Sequence, residues 1–280
     1  MKFLVFLVIA ILTAATSAHA TVDPLVKAGD EAEHRRDYGE AIKLYSRAIA
    51  KDDVSSVTRA RVFVKRSDAL RTKGLFRKAD RDATKAIELR PGFADAYNSR
   101  GLSHAKMGLF ARAIADYDKA VELRPAYAFA LNNRGRAYFY QERFREAAAD
   151  FTARLEIEPR HTYPMLWLYL ARRRMGQNGK LELAANTAGL KGDHWVGAVV
   201  SFYLGTASRK DVLAAAENDD AKKQREQQAE AYFYLGQERL LAGDGKAAAE
   251  DFRATLASGL VGFYEYTGAE VELRRMAKPK

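Results

Sequence analysis

Histidine, cysteine and paired carboxylates are the side chains that most often carry catalysis or hold metals, and this 280-residue chain arranges none of them for that work. It has no cysteine, which excludes thiol nucleophiles, thiolate metal sites and disulfides. His34, His104, His161 and His194 stand singly, without the spacing that sets two imidazoles on one helix face around a metal. No glycine-rich phosphate loop and no Gly-x-Ser-x-Gly elbow occurs. The adjacent acids Asp52-Asp53 and Asp219-Asp220 fall in expected loops, whereas hydrolytic carboxylates need a fixed separation inside a cleft. The expectation is a non-catalytic protein with no metal and no cofactor.

Charged residues do recur at a fixed spacing. Arg66, Arg100 and Arg134 are each followed at the same interval by Asp82, Asp116 and Asp150. Such co-occurrence predicts an ion pair linking two helices of one unit; breaking a buried pair leaves an uncompensated charge, at about 3–5 kcal/mol. The alternative is two solvated charges on a helix face.

The elements that position these residues come from a period of 34. Pro91, Pro125 and Pro159 are spaced by it, as are Phe76, Phe110 and Phe144, and Ala79, Ala113 and Ala147. A small residue stands at the eighth position of each unit (Gly29, Ser67, Gly101, Gly135, Gly236), so that two helices can approach closely. Gly74, Gly108 and Gly243 stand where the first helix ends in a left-handed residue. The closing proline stops the second helix. This pattern resembles the tetratricopeptide repeat (TPR), which implies an all-α, right-handed superhelical solenoid. Repeats are assigned at 22–59, 60–93, 94–127 and 128–161, making a unit over 21–161. Residues 162–228 read as degenerate TPR-like helices, because Tyr169 is too bulky for the eighth position. A final repeat opens the 229–280 segment, and the amphipathic stretch Phe263–Met276 is expected to cap the solenoid's open end.

In a TPR the first helix of each pair lines the concave side. The positions facing that groove include Arg61, Lys65, Asn98, Asn132, Asn133, Arg136, Phe139, Tyr140, Tyr163 and Trp167. Asn can pair with an extended peptide backbone, and aromatics with Arg are common contact anchors. Two other readings stand beside this one: the Asn residues tie neighbouring repeats together, and the aromatics of the fifth unit pack against the 195–241 segment.

Residues 1–20 carry Lys2, an apolar run and Ala18-His19-Ala20, the layout of a cleaved signal peptide; the alternative is an uncleaved N-terminal membrane anchor. No later segment is long and apolar enough to span a bilayer, so a soluble chain in a periplasm is expected, with no nucleic-acid partner. The formal charge of +10 favours acidic partners. The blocks Leu166-Trp167-Leu168-Tyr169-Leu170-Ala171, Ser201-Phe202-Tyr203-Leu204-Gly205 and Tyr232-Phe233-Tyr234-Leu235-Gly236 look like the NlpI family of bacterial envelope lipoproteins. That resemblance implies a dimeric adaptor presenting cell-wall hydrolases to one another and to a processing protease. The chain lacks the family's lipid-accepting cysteine, so the lipid anchor is not carried over. Rival readings are a structural subunit of an envelope assembly and a binder of a peptide or peptidoglycan fragment in an aromatic pocket near Trp167.

Overall fold

A computed structural model describes residues 24–189 and 195–277; the signal-like segment 1–20 and His194 lie outside them. The described residues form fifteen helices, arranged as successive antiparallel hairpins that stack into a TPR solenoid. The hairpins are α1 (Pro24–His34) with α2 (Tyr38–Ile49), α3 (Ser56–Thr72) with α4 (Phe76–Leu89), α5 (Ala94–Lys106) with α6 (Phe110–Leu123), and α7 (Ala128–Tyr140) with α8 (Phe144–Ile157). Then follow α9 (Thr162–Arg174) with α10 (Lys180–Thr187), α11 (Trp195–Leu204) with α12 (Arg209–Ala215), and α13 (Ala221–Leu241) with α14 (Gly245–Ala257), before a single α15 (Tyr264–Met276).

The hairpin closes on a ring-against-backbone contact. A Cβ added at Gly29 would lie 2.4 Å from the Tyr45 ring; at Gly101 it would lie 2.6 Å from Tyr117, at Gly135 2.9 Å from Phe151, and at Gly236 2.8 Å from Phe252. The aromatic of the second helix thus occupies the space that a side chain on the first would need. Ala41, Ala79, Ala113, Ala147 and Ala248 are fully buried on the opposing surface. Where the second repeat carries Ser67 instead of glycine, its hydroxyl is buried and donates to the Ala79 carbonyl at 2.8 Å, which satisfies the added polar atom. The residues before the closing prolines, Arg90, Arg124 and Glu158, have extended backbones, the conformation that proline imposes on its predecessor and that ends the helix.

The repeated charges link the two helices of each pair. Arg66 donates to Asp82 at 2.6 and 2.8 Å, Arg100 to Asp116 at 2.6 Å, and Arg134 to Asp150 at 2.7 and 2.8 Å. His104 adds a ring-nitrogen contact to Asp116 at 2.9 Å. In the last hairpin Asp251 keeps the carboxylate but takes its guanidinium groups from elsewhere, Arg209 on α12 at 2.6 Å and Arg239 at 3.0 Å. The first hairpin replaces the pair by Tyr45, whose hydroxyl lies 2.6 Å from an Asp30 carboxylate oxygen and 2.9 Å from a Glu33 one and shares its single proton between them.

In the fifth hairpin the bulky Tyr169 is accommodated by moving the small residue to the other helix. Gly179, at the N-terminus of α10, approaches its ring, and Tyr203 of α11 stacks on it with centroids 4.7 Å apart. Trp167, Phe139, Phe151, Phe233 and Phe252 are fully buried nearby in the largest apolar cluster among the described residues. Each such side chain contributes about 1.5–3 kcal/mol by burial.

Replacing Gly101 by Ala is expected to destabilise the protein by about 1–3 kcal/mol, because the Tyr117 ring is too enclosed to yield. Gly92→Ala, where nothing lies within 4 Å of the added carbon, is the control and leaves stability unchanged. Urea denaturation of both variants, followed by circular dichroism, measures the difference.

Candidate functional site

The inner curve is lined by α3, α5, α7, α9 and α13, and α15 lies along part of it. Lys106 donates to the Phe263 carbonyl at 2.5 Å and to Thr267 at 3.0 Å. The Tyr140 hydroxyl donates to the Tyr264 carbonyl at 2.9 Å, and the Arg136 guanidinium sits 3.3 Å from the centre of the Tyr264 ring. Arg275 donates to the carbonyls of Phe139 and Tyr140. Deeper in, Glu272 is 2% exposed and accepts from Arg174 at 2.7 Å and Gln237 at 3.3 Å, with Arg275 at 3.2 Å. Lys106, Tyr140 and Arg174 stand in the last turns of α5, α7 and α9, so α15 follows the edge of the curve where the first helices end.

This placement corrects two sequence expectations and adds to a third. The stretch Phe263–Met276 stacks on the last hairpin and also reaches inside the curve, which the capping expectation did not include. Phe139 and Trp167 are fully buried against each other, with ring centroids 5.2 Å apart, so they serve the core and offer a partner no surface. The aromatic pocket that a rival reading placed near Trp167 is filled by Phe139, Tyr140, Phe151 and Phe233. Arg136 and Tyr140 do face the groove, but their contacts are with Tyr264 of the same chain. The physical reason is common to all: inward-facing positions of the fourth and fifth units are covered by α13 and α15, which the 34-residue period does not place.

Asn98 and Asn133 are buried and bonded to each other, Asn133 donating at 2.9 Å, so they tie α5 to α7. Asn133 also accepts from Arg136 at 2.8 Å and from the Tyr264 hydroxyl at 3.3 Å.

The other edge of the curve, at the first turns of these helices, stays open. Arg61 is exposed, and Lys65 reaches Asp30 at 2.9 Å. Asn132 and Tyr163 meet in a pocket of about 420 Å³ with Phe129, Glu230, Phe263 and Glu265. Phe129 is 65% exposed, the most exposed aromatic of the described residues. It stands in the same repeat column as Arg61 and Asp95, so the register itself could have found it. Glu230 and Glu265 carried no such signal. Glu230 reads as one more charge on a polar helix, and Glu265 belongs to the non-repeating tail.

The pocket's electrostatics are uneven. Glu230 accepts from the Tyr163 hydroxyl at 2.7 Å, and its carboxyl is pushed up to about 8, first by burial and then by the neighbouring Glu265 charge. His161 at the rim is held below the ordinary histidine value, mainly by burial. The Oδ1 of Asn132 is buried with no hydrogen-bond partner.

A family model for the tetratricopeptide repeat matches residues 94–127. Over 117 residues the chain is 31% identical to a lipoprotein NlpI homologue from Haemophilus influenzae, a match covering 41% of this chain and 37% of that relative. Among solved structures, it is similar to a tetratricopeptide repeat protein from Parabacteroides merdae, with a TM-score of 0.58, 17% identity and coverage of 90% of this chain and 97% of that one. It is also similar to MamA, with a TM-score of 0.50, 20% identity and coverage of 60% and 93%. At these identities the two structures speak for the fold alone.

Lys106 offers a test of the α15 contact. Enclosure lowers its ammonium from 10.5 to about 7, first through burial and then through repulsion by Arg71. Between those values the unfolded chain binds a proton that the folded chain does not, so stability rises with pH in that window and the effect is flat below it. Lys106→Met removes this slope. Urea midpoints at neutral pH and near the upper limit are expected to show a gain for the native sequence, relative to Lys106→Met, of up to about 3 kcal/mol.

Proposed function

We propose that this tetratricopeptide-repeat protein is a scaffold that holds other proteins, docking them on the open edge of its inner curve. The observation that carries this reading is the pocket at Phe129, Asn132 and Tyr163, left open beside a groove otherwise occupied by α15. Its volume and mixed aromatic and polar lining suit a side chain anchored by a few directed contacts. Phe129 projects at its mouth, where an exposed aromatic supplies contact area with little loss of side-chain freedom.

The similarity to an NlpI homologue supports the finer reading of an adaptor for cell-wall hydrolases or their processing protease, acting as a homodimer in the periplasm. The signal-like residues 1–20 support the same location. Among the described residues no helix is long and apolar enough to cross a membrane. Acidic partners fit the overall formal charge of +10, which acts through long-range steering.

Affinity capture from envelope extract tests the reading. The bait is the chain beginning at Thr21, run beside a Phe129→Ser, Asn132→Ala double variant. Both substitutions lie on the open edge, and neither residue takes part in the Lys106, Tyr140 and Arg275 hydrogen bonds that hold α15. The double variant is expected to lose the proteins that the native bait retains. The same proteins on both baits would move docking off this edge.

A further inference from the structure

The open pocket is defined by chemistry as well as by shape. Two carboxylates face it from different elements, Glu230 from α13 and Glu265 from the first turn of α15. Glu265 is 4% exposed, and among the described residues each accepts only from a neutral hydroxyl: Tyr163 gives to Glu230 at 2.7 Å and Tyr234 to Glu265 at 3.3 Å. The one cation of the lining, Arg136, is committed elsewhere, stacked on Tyr264 and bonded to Asn133. Buried carboxylates are ordinarily paired, and a hydroxyl supplies one hydrogen bond but no charge. Beside them the buried Oδ1 of Asn132 has no donor. The pocket therefore contains acceptors in excess, two of them carboxyl groups without a cationic partner, beneath an exposed aromatic ring.

Resting on the scaffold reading, we propose that this pocket receives an arginine side chain of the partner protein, its guanidinium entering between Glu230 and Glu265 and its plane lying against the Phe129 and Tyr163 rings. Arginine suits the site better than lysine. A guanidinium is planar, carries five N–H donors in a fixed fork and is weakly hydrated, so it bridges two carboxylates, reaches an amide oxygen and stacks on a ring together. The pocket's 420 Å³ leaves room for the backbone on either side of the arginine. The overall charge of +10 opposes a cationic segment at long range, so recognition comes from contact after screening by salt.

Proton linkage follows from the same geometry. The groups around Glu230 are Glu226 on its own helix, itself paired with Arg36, then Tyr163 on α9, Glu265 on α15, Arg136 on α7 and His161. With Glu230 raised to about 8, the empty pocket holds a proton at neutral pH. An entering guanidinium favours the ionised carboxylate, so binding releases that proton and tightens as pH rises towards 8.

The test uses the full chain and two capped heptapeptides of Gly and Ser, one with a central arginine and one with citrulline, its neutral isostere. Amide-shift titration by nuclear magnetic resonance is carried to about 10 mM peptide, which reads weak single-site binding. The arginine peptide is expected to bind at least about tenfold tighter than the citrulline peptide, to perturb residues lining the pocket, and to release protons when calorimetry is repeated in buffers of different ionisation enthalpy. Glu230→Gln, which keeps the Tyr163 hydrogen bond, removes the arginine preference and the proton release. Equal binding of the two peptides, a preference that survives Glu230→Gln, or no shifts at the pocket overturns the proposal. If the peptides fail while Phe129→Ser, Asn132→Ala still abolishes capture of envelope proteins, the scaffold reading stands and arginine is not the occupant.

Discussion

The architecture depends on how near the two helices of a hairpin can come. At four hairpins an aromatic ring of the second helix rests on a glycine of the first, within a distance that no Cβ tolerates. That contact fixes the spacing within the pair, and the pair's outer faces then find the same spacing in the next pair. Repeat stacking turns a local clearance into a long-range curve. The Arg–Asp pairs are registered by this approach rather than causing it, since Asp82, Asp116 and Asp150 lie at the shared seam and are only 5–7% exposed. A buried pair of this kind is a weak source of net stability and a strong constraint on which partner is accepted.

The second organising feature is the tail. A TPR array left to itself presents an inner curve that is open along its length. Here α15 lies along one edge of that curve, held among other contacts by one buried carboxylate, Glu272, shared among Arg174, Gln237 and Arg275. Taking an anion out of water is costly unless it is compensated, and here two guanidinium groups compensate it. Glu265, two turns earlier on the same face of α15, accepts among the described residues only from the Tyr234 hydroxyl. The contrast between these two acids of the same helix separates a joint from a vacancy: one is built to stay shut, the other to receive.

The repeating part of the molecule was legible because its causes repeat. The eighth-position glycines, the buried alanines and the closing prolines each act within one hairpin, so three copies in register reveal them. Tyr169 was visible as an exception, but not its remedy, because Gly179 and Tyr203 belong to a non-repeating stretch. Two left-handed turn residues also went unread. Arg36 and Glu142 adopt φ values of 60° and 61° where other repeats use glycine, and their side chains reach Glu226 and Arg275. The groove residues were half legible: the period identifies which side chains point inward, as with Asn132 and Tyr163, yet is silent about what lies inside. Phe139, Trp167, Arg136 and Tyr140 point inward and meet the chain's own α13 and α15.

The contacts of α15 join residues far apart along the chain, Lys106 with Phe263 and Asn133 with Tyr264, whereas every hairpin joins near neighbours. Local pairs form fast, and distant ones wait on loop closure. A polypeptide made from its N-terminus therefore assembles its early hairpins while the last residues do not yet exist, and at that stage the curve is vacant across its whole width. Narrowing comes last, as a final act of maturation. Each molecule thus passes through a wide-mouthed youth, when its unclad Arg136 and Tyr140 meet whatever is nearby, before its own C-terminal helix claims them.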